Sequence, residues 1–270
     1  MMNKTFDFGK TLTHAFDDPE RVSKVGLGAL IMLAPILNFA ALGYEVRVIK
    51  NVAKGEPRPM PKWDDIGALF MEGLWLGIAN LILALPIIVV VFGVMFLYFF
   101  GIFSLTFLDL RSDQVERIMS SAGPVILLFG AGLCGSLLVY GLALGFVYPA
   151  IRATYARRGT LASCFDFRAH LRFIRDNPGN YLMAWLATLL GGIILQFAVM
   201  ALYIIPCFGQ LLLLPVAGVG SFWLVMVSGH AVGQVMALEE AGSAPSAPLP
   251  PPPSSEPPEP ASPSATAIGL

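Results

Sequence analysis

The sequence predicts an all-α membrane protein, a polytopic bundle of about five spans, or four spans plus a re-entrant hairpin. Two observations carry this prediction. Hydrophobic residues make up 56% of the chain and charged residues only 13%, against roughly 25% charged residues in soluble domains. Four long stretches contain no Asp, Glu, Lys or Arg: residues 25–44, 73–108, 118–151 and 177–238. Each has the ~20 apolar residues that a helix needs to cross a bilayer core.

Residues 1–20 are expected to form an amphipathic helix that lies in the membrane interface. Phe8, Leu12, Ala15 and Phe16 recur at helical spacing, which would place them on one face. Charges of both signs occur in this region and no short apolar core precedes a small-residue cleavage site. A cleaved signal peptide is therefore not predicted.

Residues 21–238 are predicted to form the helical transmembrane domain. In its first apolar stretch, Pro35 lies near the middle and Asn38 follows soon after. An internal proline removes a backbone hydrogen bond and kinks or breaks a helix. The stretch is therefore either one bent span or a re-entrant pair of half-helices, and the residues leave both open.

The second stretch, residues 73–108, would measure about 54 Å as a straight helix, more than a bilayer core of about 30 Å. One crossing is predicted, with Pro86 as a kink and the excess length tilted, protruding or folded back. Later spans are predicted at residues 122–149, 180–204 and 210–236, with a tight turn at residues 206–209 between the last two.

The distribution of basic residues predicts the orientation. Residues 45–65 contain five Lys or Arg and residues 152–176 contain six Arg, whereas residues 109–117 contain only two Arg. Because Lys and Arg near span ends mark the cytoplasmic side, both basic connectors and the C-terminus are predicted to be cytoplasmic.

The two basic connectors resemble each other, which suggests a parallel internal repeat of about residues 25–108 and 122–204. Each leaves a span through a tyrosine, passes a glycine that would end the helix and reaches an aspartate that would cap the next one. The matching positions are Tyr44 and Tyr148, Gly55 and Gly159, and the aromatic–aspartate steps Trp63-Asp64 and Phe165-Asp166.

An amphipathic helix is predicted after Phe165. Cys164, Phe167, Leu171 and Ile174 share one face, and arginines occupy the opposite face. This pattern is typical of an in-plane helix whose cations contact anionic lipid headgroups. The candidate headgroup contacts are Arg168, Arg172 and Arg175. The other interpretation is a docking surface for a phosphate-bearing ligand or partner.

The C-terminal segment, residues 239–270, differs in composition. Ten of the thirty residues from 241 to 270 are proline, so the segment cannot bury enough apolar surface to fold and is predicted to be a disordered cytoplasmic tail. Its proline run could dock on a protein partner with a proline-recognising groove. An inert tail is the alternative.

Polar residues within the spans form one candidate site, a polar path. It comprises Asn38, Asn80, Gln196, His230 and Gln234. His230 and Gln234 are four residues apart and share a helix face. The other interpretation is that these side chains hydrogen-bond across helices.

Glycines are frequent in one predicted span, at positions 130, 132, 135, 141 and 145. Small residues let helices approach closely. Packing inside the bundle is the expected use, and a dimer contact is the alternative.

The sequence shows no H-E-x-x-H, no G-x-S-x-G and no P-loop. We therefore predict no catalytic residue, no cofactor and no metal site. The three cysteines lie far apart, and the chain has no basic stripe with interleaved aromatics, so nucleic acid is not an expected partner.

Taken together, several motifs resemble those of the prokaryotic membrane family called domain of unknown function 4013. They are residues 15–19 (AFDDP), 35–38 (PILN), 51–55 (NVAKG), 63–65 (WDD), 177–181 (NPGNY) and 229–234 (GHAVGQ). The resemblance covers about residues 5–238. It implies a multi-pass membrane protein and supplies no reaction, ligand or site.

The sequence favours a non-enzymatic protein that acts through partners, as a scaffold, assembly or envelope factor. The motivation is the scarcity of charge within the spans beside basic interfacial segments and a polar tail. The alternative is a small-solute transporter, or a subunit of one, that uses the polar path.

Overall fold

The computed structural model describes residues 5–107 and 112–243, and the secondary structure of these residues is helical throughout. Four of the helices are long and apolar enough to cross a membrane. The elements are α1 (Phe8–Asp17), α2 (Arg21–Leu33), α3 (Asn38–Ala53), α4 (Ile66–Phe107), α5 (Ser112–Arg158), a 3₁₀ helix (Leu161–Phe165), α6 (Phe167–Asp176), α7 (Pro178–Ile204) and α8 (Phe208–Ser243). The candidate spans are α4, α5, α7 and α8.

The first apolar stretch forms a re-entrant hairpin. The chain breaks at residues 34–37, next to Pro35, between α2 of 13 residues and α3 of 16 residues. These helices measure about 20 and 24 Å, which is too short to cross. The first turn of α2 is bound to the connector that follows α3. Lys24 Nζ donates to Met60 O at 3.0 Å, and Trp63 Nε1 donates to Lys24 O at 3.0 Å.

Helix α3 packs between α4 and α8. Its contact with α4 brings the two backbones together, because a Cβ on Gly43 would lie 1.9 Å from Leu69 O and one on Gly73 would lie 1.7 Å from Phe39 O. Only glycine leaves room for such an approach. Around this contact Tyr44 and other large side chains are buried, so α3 forms the centre of the bundle.

Helices α4 and α5 are single helices of 42 and 47 residues, or about 63 and 70 Å. Tyr140 Oη donates to Leu83 O at 2.7 Å between them. Farther out both helices are largely exposed, apart from a half-buried row on α5 (Gly130, Leu133, Leu137 and Gly141), and the most apolar window of each has none of its residues buried. We call residues 88–107 and 112–142 the α4–α5 arm.

The expected use of the α5 glycines inside the bundle is wrong for the described structure. A Cβ built at any of the five positions would meet no other heavy atom within 4 Å, apart from its own helix backbone. The physical reason is that α5 has no close neighbour on that side, since only α4 runs beside the arm.

Helix α5 continues to Arg158, past the predicted span end at residue 149. It can do so because its arginines have partners: Arg152 pairs with Glu45 at 3.0 Å and Arg157 with Glu239 at 2.6 Å. Helix α8 likewise continues to Ser243, beyond residue 238, where the tail was predicted to begin. The remainder of the tail lies outside the described residues.

The two connectors have the same local geometry. Gly55 and Gly159 end α3 and α5 with positive φ angles of 73° and 67°. Asp65 Oδ1 accepts from Ala68 N at 2.8 Å, and Asp166 Oδ1 accepts from Ala169 N at 3.0 Å. The predicted helix-ending glycines and the cap Asp166 are confirmed, the cap in the first connector is Asp65, one residue after the matched Asp64, and the duplication itself stays a prediction.

Candidate functional site

Most elements outside the spans lie at one end of the bundle, which we call the basic side. It comprises α1, the two connectors, the 3₁₀ helix, α6 and the C-terminal end of α8. Contacts such as Arg158–Asp166 at 2.7 Å and Arg157–Glu239 at 2.6 Å join these elements. Beneath them a layer of buried polar side chains connects the helices.

One part of this layer joins α1 to α8. Gln234 Nε2 donates to Thr11 Oγ1 at 2.9 Å and to Asp7 O at 3.1 Å, and it lies 3.0 Å from His230 Nδ1. The rings of His14 and His230 stack at 4.2 Å. Polar groups on both helices therefore hold α1 in place.

His14 is a buried histidine that forms no ion pair with a described residue. Its Nδ1 lies 3.0 Å from Thr11 O, so this nitrogen carries the proton of the neutral ring. Its Nε2 has no hydrogen-bond partner among the described residues. Burial lowers the pKa of His14 to about 4, and the backbone bond to Thr11 opposes this only in part. The ring is therefore neutral at pH 7.

The face that α1 buries differs from the predicted apolar face. Thr11, His14 and Ala15 are buried, whereas Phe16 is 61% exposed. Thr11 accepts a hydrogen bond from Gln234 of α8 and His14 stacks on His230 of α8, so these polar side chains face the bundle and the Phe16 ring faces outward. This arrangement suits a helix with protein on one side and lipid on the other.

A second part of the layer is an ion pair inside the bundle. Glu45 of α3 is fully buried, and its Oε1 lies 3.0 Å from Arg152 Nη1 of α5. Arg152 Nη1 also donates to Ser228 Oγ of α8, and the guanidinium lies 5.8 Å from the centre of the Tyr148 ring. Three helices thus meet at one charged contact.

Sequence reasoning missed this pair because it counted residues 45 and 152 as the first residues of the connectors. A signal was present: Ala41, Glu45, Val48 and Val52 recur at helical spacing, and this places Glu45 on the apolar face of α3. A charge on a buried face needs a partner, and Arg152 supplies it.

Two further ion-pair groups surround the layer. Glu72 of α4 accepts from Arg47 at 3.3 Å and also from Lys50 of α3. Asp18 and Lys24 form a buried pair at 2.8 Å. Burial alone would raise the pKa of Asp18, but hydrogen bonds from the Lys24 ammonium and the Glu20 backbone N–H lower it below its ordinary value.

Among the described cavities, one is lined by two of the five polar-path residues, and none is lined by more. His230 and Gln234 line a cavity of about 380 Å³ beside α1, with Lys10 and Asp17 among its other walls. Gln196 lines a different cavity, of about 360 Å³, between α5 and α7. The side-chain oxygens of Asn38 and Asn80 are buried without a hydrogen-bond partner among the described residues.

The three α6 arginines are exposed, and they form no ion pair with a described residue. Helix α6 has three faces of different character instead of the two predicted from the sequence. His170 and Phe173 are buried against the bundle, Phe167 and Leu171 are 56% and 65% exposed, and the arginines follow next to these two around the helix. An exposed apolar edge beside free cations suits contact with a lipid surface.

Within residues 5–107 and 112–243 no three His, Cys, Asp or Glu side chains are close enough to hold a metal ion. The polar layer therefore offers hydrogen bonds and ion pairs between helices.

Four long apolar helices, a re-entrant hairpin and a basic side define a multi-pass helical membrane protein. The chain belongs to the family described as Protein of unknown function (DUF4013), whose sequence model matches residues 26–204. The match covers most of α2 through α7, including Glu45 and Arg152, whereas His14 and His230 lie outside it. Comparison with curated proteins and with solved structures finds no match.

Proposed function

We propose that the protein is a non-enzymatic scaffold of a prokaryotic cell membrane that assembles through its α4–α5 arm. The observation that carries the proposal is the exposure of the arm. None of the residues in the most apolar window of α4 or α5 is buried, whereas 28% are in α8. The basic side, in contrast, is held together by buried polar contacts.

The arm has a face suited to helix association. At about 100° per residue, Gly130, Cys134 and Gly141 fall within about 40° of one another on α5, and Leu138 adjoins them. Neither glycine has a neighbour within 4 Å of a Cβ, and Leu138 is 64% exposed. In a bilayer, small residues drive association because they let two backbones approach.

The partner we propose for this face is a second copy of the chain. Two copies that share one bilayer and one orientation are related by a two-fold axis along the membrane normal, and such an axis presents the same face from both sides. A face of small, uncharged residues is compatible with its own copy, since no charge has to be complemented.

The test is cross-linking through Cys134, which is exposed on this face. Cys164 is buried and Cys207, the other exposed thiol, has a φ of 62°, so Cys207→Asn suits its backbone. In this background we expect oxidation of membranes to yield a Cys134–Cys134 dimer. Gly130→Leu should reduce the dimer by at least about tenfold, the effect of about 1.4 kcal/mol.

The matched control is Gly132→Leu. Residue 132 lies about 200° around the helix from residue 130, and a side chain there also meets open space. It should leave the dimer yield unchanged. A yield that neither substitution changes, or no dimer at all, would overturn the proposal.

Transport of a small solute is the second candidate, and the cavity lined by His230 and Gln234 is the observation in its favour. It receives less support, because the five polar-path residues do not share one cavity. Solute flux in proteoliposomes that is lost on His230→Ala would establish transport in place of the scaffold.

The remaining expectations complete the proposal. The basic side faces the cytoplasm, where Lys and Arg accumulate. The exposed Arg168, Arg172 and Arg175 contact anionic headgroups of the inner leaflet. The proline-rich tail, which lies outside the described residues, is available to a protein partner.

A further inference from the structure

A cleft between α5 and α7 combines an apolar wall with a charged end. These helices hold together near the basic side, where Tyr181 Oη donates to Phe146 O and the Phe146 and Trp185 rings lie 5.5 Å apart. A cavity of about 360 Å³ lies between the two helices beside this contact. This volume is within the range of small-molecule sites, roughly 300–1,000 Å³.

Arg152 lies at the basic-side end of the cleft, and some of its N–H groups have no acceptor among the described residues. Its Nη1 contacts Glu45 and Ser228, its Nε is buried without a hydrogen-bond partner among the described residues, and 19% of its side chain stays exposed. A guanidinium carries five N–H groups, more than these two acceptors use. Glu45 offsets the charge, so a further ligand would be held mainly through hydrogen bonds to its oxygens.

Arg152 stands near the depth at which lipid headgroups begin. It lies six residues, or about 9 Å, before the end of α5, and Glu72 lies a similar distance inside the start of α4. Tyr148 and Trp185 line the same cleft, and Tyr and Trp are the side chains enriched at the headgroup level. An oxygen-rich group at this depth is supplied by the bilayer itself.

We propose that the cleft binds one membrane phospholipid. Its phosphate accepts hydrogen bonds from Arg152, and one acyl chain lies against Gly145, Leu189 and Ile193, which line the deeper part of the cleft. No Cβ contact exists within 4 Å of Gly145, so the chain has room on that side. The proposal does not depend on dimer formation, which uses Gly130, Cys134 and Gly141.

The test uses phosphatidylglycerol with a photoreactive diazirine in one acyl chain, incorporated into phosphatidylcholine vesicles that contain the full chain. We expect the photoadduct to map to α5 and α7. Gly145→Leu fills the cleft without touching the ion pair and should lower adduct formation by about tenfold. Gly132→Leu, on the exposed surface of α5, should leave it unchanged.

A second pair of variants separates the phosphate contact from the cleft itself. Glu45→Gln combined with Arg152→Gln removes both charges, so neither is left buried alone. Loss of hydrogen bonds from a charged donor should weaken binding by about tenfold or more. Gln196→Leu, which only makes the deep end of the cleft more apolar, should retain the lipid.

Several outcomes would overturn the proposal. An adduct that is equally strong in Gly145→Leu, or that maps only to α4, would do so. So would competition in which added oleate displaces the photoreactive lipid and unlabelled phosphatidylglycerol does not. A further contradicting outcome is loss of the adduct on Gln196→Leu. The last would indicate a polar solute in place of a lipid. A failed Cys134 cross-link alongside a retained adduct would contradict the scaffold proposal and leave this one intact.

Discussion

Glu45 and Arg152 show how a charged pair can stabilise a membrane helix bundle. Glu45 has no solvent exposure, and its partner comes from a helix more than a hundred residues away in sequence. A buried pair of this kind adds little over a well-packed apolar pair, but removal of one member leaves an uncompensated charge. The pair therefore fixes how α3, α5 and α8 align.

The single and double variants of this pair should behave differently. Arg152→Met alone leaves Glu45 buried without its cation and should destabilise the protein by about 3–5 kcal/mol. Adding Glu45→Leu should recover most of that loss, because no charge then remains. Thermal unfolding in detergent measures both. Losses that simply add would show that the two residues do not interact.

His14 should make the protein less stable in mild acid. Its pKa is about 4 in the folded protein because of burial, against 6.5 when free. As pH falls below about 6.5, His14 becomes protonated in the unfolded chain but stays neutral in the folded protein. The free energy of unfolding therefore decreases until about pH 4, where the folded protein also binds the proton. Between pH 7 and pH 5 the expected loss is about 2 kcal/mol.

The groups that face His14 are His230, Lys10 and Asp17, and none of these is changed by His14→Gln. This variant should lose about 2 kcal/mol less stability between pH 7 and pH 5 than the unaltered protein, as judged by thermal unfolding. Equal losses in the two proteins would assign the acid sensitivity to other groups.

At the scale of elements, the contact between α3 and α4 positions the polar layer. Gly43 and Gly73 bring the two backbones together, and Glu72 then lies within reach of Arg47 and Lys50. The close approach at these glycines thus brings the charged side chains beside the crossing within ion-pairing distance of one another. Packing and electrostatics are coupled at this point of the fold.

Gly73→Ala tests that coupling. The added Cβ would lie 1.7 Å from Phe39 O, so the helices must separate, and overpacking of this kind typically costs about 1–3 kcal/mol. Gly93→Ala, on the same helix with nothing within 4 Å, should be neutral or stabilising by up to about 1 kcal/mol. If thermal unfolding showed Gly93→Ala to be less stable than Gly73→Ala, this explanation of the crossing would be wrong.

The elements differ in how far the sequence predicted them. Charge-free stretches located all four spans, and glycine and aspartate positions located the connector boundaries. Pro35 left two possibilities for the first stretch, because its local effect does not specify whether the chain goes on or turns back. The hairpin depends on distant contacts such as Trp63 with Lys24, which no local pattern encodes.

Site residues were predicted less completely for the same reason. Gln234 and His230 were identified from their spacing on one helix, but their respective partners Thr11 and His14 come from α1. Glu45 was missed because it sits at the edge of a charge-free stretch, where a buried charge and a connector charge look alike. Whether such a charged side chain is buried depends on which other helices pack against it.

At the scale of the whole molecule, one end of the bundle is closely connected and the α4–α5 arm is not. Both ends of the re-entrant hairpin, the connectors and the end of α8 lie at the basic side, and α5 begins at the opposite end. Crossings by the four candidate spans α4, α5, α7 and α8 would produce this arrangement. A five-span protein would instead place α1 on the opposite side from the connectors.

Thiol labelling distinguishes these topologies. In a Cys207→Asn background, cysteines placed at the exposed Lys10, Glu56 and Thr160 should react with an impermeant reagent from one side of the membrane. A cysteine at Asp113, near the start of α5, should react from the other side. Labelling of positions 10 and 56 from opposite sides would contradict the re-entrant hairpin.

The central claim is that the arm assembles copies of the chain, and subunit counting in a bilayer tests it most directly. A fluorescent protein on the C-terminus gives one bleaching step per copy in single-molecule images. We predict two steps for the unaltered chain and for Gly132→Leu, and one step for Gly130→Leu. One step in all three, or two steps in all three, would contradict the claim.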